Sequence, residues 1–206
     1  DAAGRTWRSA ADAGTDFTIE ERGPLRATVR LRGLLQGDTP ENPLRFDTRV
    51  HLFAGRRDVL IEAGFIASAD QETVPIRAVG LAFRGDWRGH GAVLGLADAP
   101  GPALPVESAP RLVQRGAAVH GSEGGFSYDL TWRAVGAAAG GGSSGSAAPG
   151  WLRLAGPNGL MAALPHFHQQ YPKAIACTAE EVAIELWPDG EGIFTAHAGS
   201  GKSHAV

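Results

Sequence analysis

Apolar and polar residues alternate with period two along much of this chain. Leu25-Arg26-Ala27-Thr28-Val29-Arg30-Leu31-Arg32 sets four apolar side chains against four polar ones. That is the pattern of a strand half buried in an antiparallel sheet, because successive side chains of a strand point to opposite faces. Residues 44–53 repeat it, with Phe46, Thr48, Val50 and Leu52 opposite Arg45, Asp47, Arg49 and His51. Ala54-Gly55-Arg56-Arg57 reads as a turn into a further strand over 58–66, and residues 16–21 alternate ahead of the Gly23-Pro24 turn. Shorter strands are predicted at 76–84, 92–96, 112–119, 125–132, 151–154, 159–164, 182–186 and 192–197, with a polar connection over 33–43. The predicted core includes Val29, Leu31, Val50, Leu52, Leu60, Ile184 and Leu186.

Helical periodicity is missing. Thr178-Ala179-Glu180-Glu181 has the spacing of a capping box, but Val182 to Trp187 behind it alternates as a strand and Pro188 stops it, so a short turn is expected there. Strands at this spacing point to one all-β domain over 1–206, a large antiparallel β-sandwich. Residues 137–150 contain only Ala, Gly, Ser and Pro. Such a run has little apolar area to bury against its ordering entropy. With the same β pattern on both flanks, it is expected to be a flexible surface loop rather than a linker between domains.

Composition narrows the function without naming it. The 206 residues carry a net charge of −3 and a pI near 6.2, which gives no electrostatic footprint for nucleic acid or an anionic membrane. No apolar run approaches the roughly 18 residues that span a bilayer. The chain opens at Asp1 without a basic-then-apolar leader. Cys177 is the single cysteine, so an internal disulfide and a cysteine-based zinc site are both excluded. Of 19 basic residues only Lys173 and Lys202 are lysines; the other 17 are arginines. Two lysines that persist against such a bias mark places where a compact point charge is wanted.

Several chemical motifs fail on inspection. Residues 196–203 end in Gly201-Lys202-Ser203 like a phosphate loop, but the leading glycine is replaced by Ala196 and no helix follows. His166 and His168, two apart, would share one face if they lay on a strand. A metal there would need a third ligand such as His120, His197 or His204, so no metal and no cofactor are expected. The adjacent carboxylates Glu20-Glu21 and Glu180-Glu181 would point oppositely on a strand and cannot act as a glycosidase pair. No serine sits in a Gly-x-Ser-x-Gly elbow between strand and helix. The densest chemistry lies in His166-Phe167-His168-Gln169-Gln170-Tyr171-Pro172-Lys173. Imidazoles and amides beside flat aromatic faces suit sugar recognition.

The ordered set Glu21-Arg22-Gly23-Pro24-Leu25-Arg26-Ala27, Gly33, Gly150-Trp151, Phe167-His168-Gln169-Gln170-Tyr171-Pro172-Lys173, Leu186-Trp187-Pro188 and Gly201-Lys202-Ser203-His204 resembles the exo-rhamnogalacturonan lyase / YetA-like family. The chain departs from the family pattern at His168 (usually Trp), Ser203 (usually Thr) and Ala205 (usually an acid). The resemblance implies the central β-sandwich, of the supersandwich, galactose-mutarotase-like type, within a three-part enzyme. An N-terminal β domain and a C-terminal α/α toroid complete that enzyme, and the toroid is where its acid/base residues are expected. It implies β-elimination on a uronic acid of an acidic polysaccharide, and a secreted or periplasmic location. The polar-aromatic stretch and the segments that carry the resemblance make His166, His168, Gln170, Tyr171, Lys173, Lys202 and His204 the expected substrate contacts. The scarcity of lysine elsewhere places Lys173 and His204 close together at the sandwich edge that faces another domain or an acidic sugar. No catalytic residue is assigned within these 206 residues, and a stand-alone carbohydrate-binding or interaction sandwich is the alternative. A mutarotase-like sandwich with its own His/Glu pair is a third reading.

Overall fold

A computed structural model describes residues 5–9, 13–37, 44–67, 73–116, 125–136, 139–197 and 201–206. In chain order its strands begin with β1 (Trp7–Arg8), β2 (Asp16–Arg22), β3 (Arg26–Leu34), β4 (Gln36–Gly37), β5 (Leu44–Phe53), β6 (Val59–Ala67) and β7 (Thr73–Ile76). They continue with β8 (Val79–Arg84), β9 (Gly91–Leu94), β10 (Leu104–Pro105), β11 (Arg111–Arg115), β12 (Ser127–Trp132) and β13 (Gly141–Gly145). The last are β14 (Trp151–Ala155), β15 (Met161–Ala163), β16 (Lys173–Cys177), β17 (Glu181–Trp187), β18 (Phe194–His197) and β19 (Gly201–Ala205). All pairings between these strands are antiparallel. Val106–Ser108 forms a 3₁₀ turn. The fold class is all-β, as the alternation predicts.

The chain divides into two compact units, residues 1–77 with 192–206, and residues 78–191. In the first, a five-stranded sheet runs β19-β6-β5-β3-β2, accompanied by the two-stranded pairs β1-β4 and β18-β7. Val29, Val50 and Ile61 lie opposite one another on three neighbouring strands, so the apolar rows read from the sequence do align. Their cover is incomplete. Val29, Leu31 and Val50 are half-buried and Leu52 is 43% exposed, while Ala63, Phe65, Ala67 and Leu44 are buried. Leu60, expected in the core, pairs with His51 and so lies on the opposite face, half-buried. Alternation identifies which face is apolar, not how much of it another layer covers. The other face carries an ion-pair lattice: Glu20 accepts from Arg49 at 2.7 Å and from Arg30 at 3.1 Å, and Arg30 also pairs with Asp47.

The second unit holds a six-stranded sheet, β13-β12-β11-β16-β17-β8, and a four-stranded sheet, β10-β9-β14-β15. One row crosses the larger sheet from Leu130 through Leu112, Ile175 and Ile184 to Leu81. Leu112, Leu130, Ile175 and Ile184 are at most 1% exposed, as are Leu94 and Leu152 of the smaller sheet. These buried rows form the core of the unit, and Ile184 and Leu186 take the places the alternation predicts.

Three differences from the sequence expectation, and one motif already set aside there, have physical causes. β16 was not foreseen because its residues are buried on both faces, which erases the alternation. Gly141–Gly145 of the Ala/Gly/Ser run is an edge strand rather than a loop, paired with β12 through backbone groups that need no apolar side chain. Gly201-Lys202-Ser203 lies within β19 and pairs with β6, so its amides belong to a sheet and not to a phosphate cradle. The single strand expected over 76–84 is two, β7 and β8, each in a different sheet. Thr178 makes the predicted turn: its hydroxyl accepts from the amides of Glu180 at 3.2 Å and Glu181 at 3.1 Å.

Candidate functional site

Five of the predicted site residues fall in one segment of the second unit. Residues 165–170 form a turn in which the Gln170 amide donates to the His166 carbonyl at 3.0 Å. His166 therefore sits at φ +56° on a turn, not on a strand, and does not share a strand face with His168. Phe167 anchors the turn; it is 1% exposed. Its ring leaves no room beside it: a Cβ on Gly150 (φ +75°) would come within 2.2 Å of the Phe167 Cβ, so only glycine fits there.

Above that anchor is a surface cluster. The His168 ring meets Phe126 edge-on at 5.3 Å between centroids, and Tyr171 meets Phe126 at 5.7 Å. Tyr171 lies flat over Gly116, where a Cβ would fall 2.1 Å from the ring. Phe126 is 39% and Tyr171 42% exposed, with Gln170 and His166 also at the surface. Phe126, just before β12, is the member that sequence reasoning missed, because nothing in its local sequence links it to residues 168–171. Exposed aromatic faces held by packing, with imidazole and amide groups at their rim, can stack on the C–H face of a sugar and bond its hydroxyls.

Lys173 differs. It is the first residue of β16, opposite Gln114, and is fully buried at 0% exposure. It faces the core because β16 sets Lys173, Ile175 and Cys177 on one row. A sugar in solvent does not reach it in this structure. Lys202 and His204 occur on β19 in the first unit, opposite Phe65 and Ala63. Lys173 and His204 thus belong to different units. His120, named as a possible third metal ligand, lies outside the described residues.

A second polar feature, not foreseen, lies on the outer face of the larger sheet. Arg111, Val113 and Arg115 of β11, Asp129 and Thr131 of β12 and Ser144 of β13 line a groove of about 320 Å³. Arg111 donates to both oxygens of Glu185 at 2.9 and 2.8 Å, and this pairing raises its pKa further above the usual guanidinium range. Arg115 donates to Glu191 at 2.6 Å and also pairs with Asp129. The sequence signal was thin, since these charges come from segments some 75 residues apart.

Residues 6–90 match the family model of the PcRGLX-like protein central beta sandwich domain. This is the rhamnogalacturonan lyase-like family that the ordered motifs of the sequence resemble. The PcRGLX-like match takes in β1 to β7 of the first unit and β8 of the second, and its description as a β-sandwich agrees with the all-antiparallel strand content. The aromatic cluster and the groove follow the matched stretch in sequence. No curated protein matches the chain.

Proposed function

We propose that this chain is the β-sandwich part of a polysaccharide lyase-like enzyme, and that it grips and walls the path of a uronic-acid-containing, rhamnogalacturonan-type polymer without performing the elimination. The observation that carries this reading is the surface cluster of Phe126, His168 and Tyr171. Two exposed aromatic rings give a polymer stacking surface, and the rhamnogalacturonan lyase-like match favours a polymer of that class. β-Elimination needs a base for the proton α to the carboxylate, a cation for the enolate and an acid for the leaving oxygen. Those groups belong in this reading to an α/α toroid domain of the same enzyme, working on polymer in a secreted or periplasmic setting.

The experiment is a polysaccharide panel run with the purified chain. Rhamnogalacturonan in a native gel is expected to retard the chain, and Tyr171→Ala with Phe126→Ala is expected to abolish the retardation while the fold, read by circular dichroism, is kept. No ultraviolet-absorbing unsaturated product is expected. Turnover by the chain alone overturns the non-catalytic role, and unretarded migration on every acidic polymer overturns the reading itself.

A further inference from the structure

We infer that the groove on the outer face of β11, β12 and β13 is a binding site for a neutral sugar unit, separate from the aromatic cluster and selective against uronates. This inference rests on the saccharide-binding reading above and specifies what the second site takes.

The groove exists because of what its rim lacks. On the outward row of β13, Ser144 stands opposite Asp129 and Gly142 opposite Thr131. Long side chains at those two positions would fill the space over Val113, which forms an apolar floor. A cavity of about 320 Å³ is at the small end of ligand clefts, about 300–1,000 Å³, and suits a mono- or disaccharide.

Its walls are polar and fixed in place. Arg111 is held by both oxygens of Glu185 and by the Asp189 carbonyl at 3.3 Å. Arg115 is held between Glu191, whose side chain is only 4% exposed, and Asp129. The two-bond Arg111–Glu185 pair, and Arg115 bridging two carboxylates, pre-order their spare donors and acceptors. Asp129, with 43% of its side chain exposed, keeps carboxylate lone pairs facing the groove, and the Thr131 hydroxyl adds a donor. Vicinal sugar hydroxyls, each both donor and acceptor, match such a mixed wall.

Charge decides the class of sugar. Of the charged groups, Arg111, Arg115 and Asp129 line the groove, and Glu185 and Glu191 pair with the two arginines from outside its lining. This cluster of two guanidinium groups and three carboxylates therefore carries one excess negative charge. Both arginines are already neutralised by protein carboxylates. A uronate would find no free cation and would be repelled by Asp129, whereas a neutral hexose or deoxyhexose meets only hydrogen-bonding groups.

The test titrates the full chain with galactose, rhamnose and galacturonate, followed by amide chemical shifts. Galactose or rhamnose is expected to shift the Thr131, Gly142 and Ser144 amides, and galacturonate to bind at least tenfold more weakly. Ser144→Phe fills the groove from an edge strand and is expected to weaken the neutral sugar at least tenfold. It should leave polymer retardation at the Tyr171 cluster unchanged. Asp129→Asn, which keeps the shape, is expected to improve galacturonate at least threefold and hold the neutral sugar within threefold. Galacturonate binding as tightly as the neutral sugars, or neutral-sugar binding that survives Ser144→Phe, overturns the inference. Polymer retardation that is lost in Tyr171→Ala but accompanied by no shifts in the groove overturns this site alone; loss of all saccharide binding overturns the reading on which it rests.

Discussion

Gln114 provides a sharp test of how the Ala/Gly/Ser run is tied to the second unit. Its side chain is fully buried on the core-facing row of β11. The amide nitrogen lies 2.9 Å from the Ser127 carbonyl and 3.2 Å from those of Arg115 and Ser146, and the Ala148 amide donates to its oxygen at 2.8 Å. An amide NH₂ has two hydrogens, so three acceptors share two protons, and the whole group makes about three net bonds. Gln114→Leu keeps the volume and removes them. At about 1 kcal/mol per net bond the loss is ~3 kcal/mol, and the Ala148 amide, left buried without its acceptor, adds ~1–2 kcal/mol. Ala148 itself is 0% exposed, so solvent does not replace that acceptor.

Urea unfolding of wild type and variant, with equal slopes, should therefore show a loss of ~4–5 kcal/mol. Amide exchange at Ala148 should accelerate more than exchange at Ile184, because Ile184 does not depend on this clamp. A loss below about 1 kcal/mol would refute the reasoning. So would an Ala148 amide that exchanges as slowly in the variant as in wild type.

Three further outcomes follow from the same physical arguments. Both ring nitrogens of His90 face carbonyl oxygens, Nε2 that of Pro157 at 2.9 Å and Nδ1 that of Arg88 at 3.3 Å, and only the imidazolium can donate to both. The Pro157 bond chiefly raises the His90 pKa, with a smaller contribution from Asp86, so its stabilising effect is full below about pH 6.5 and fades as pH climbs through the raised value; His90→Asn should lower the melting temperature more at pH 5.5 than at pH 8.5, and an equal effect at both would contradict this. Ile184→Ala, at 0% exposure, should cost ~3 kcal/mol, against under ~1 kcal/mol for Leu52→Ala at 43% exposure, measured by urea unfolding. Burial pushes the Cys177 thiol up to about 12, so iodoacetamide at pH 8 should label it only after unfolding, and rapid labelling of the native chain would place it at the surface.

What the sequence determined by itself was the set of half-buried strands. β3, β5 and β17 could be read with nearly their final bounds, because a strand with one wet face must alternate, and the alternation survives without knowledge of its neighbours. The ordered motifs also carried the family resemblance that the match over residues 6–90 bears out. Tertiary structure decided the rest. β16 is buried on both sides and β13 is held by backbone pairing, so neither leaves a periodic trace. Lys173 looked like a surface charge beside aromatics, yet the parity of β16 turns it into the core next to Gln114. Phe126 joins His168 and Tyr171, and Arg111 joins Glu185, only when strands distant in the chain become neighbours. Local pattern records which way a side chain points; which side chains meet is fixed by the order of strands in the sheet, and that order is a property of the whole fold.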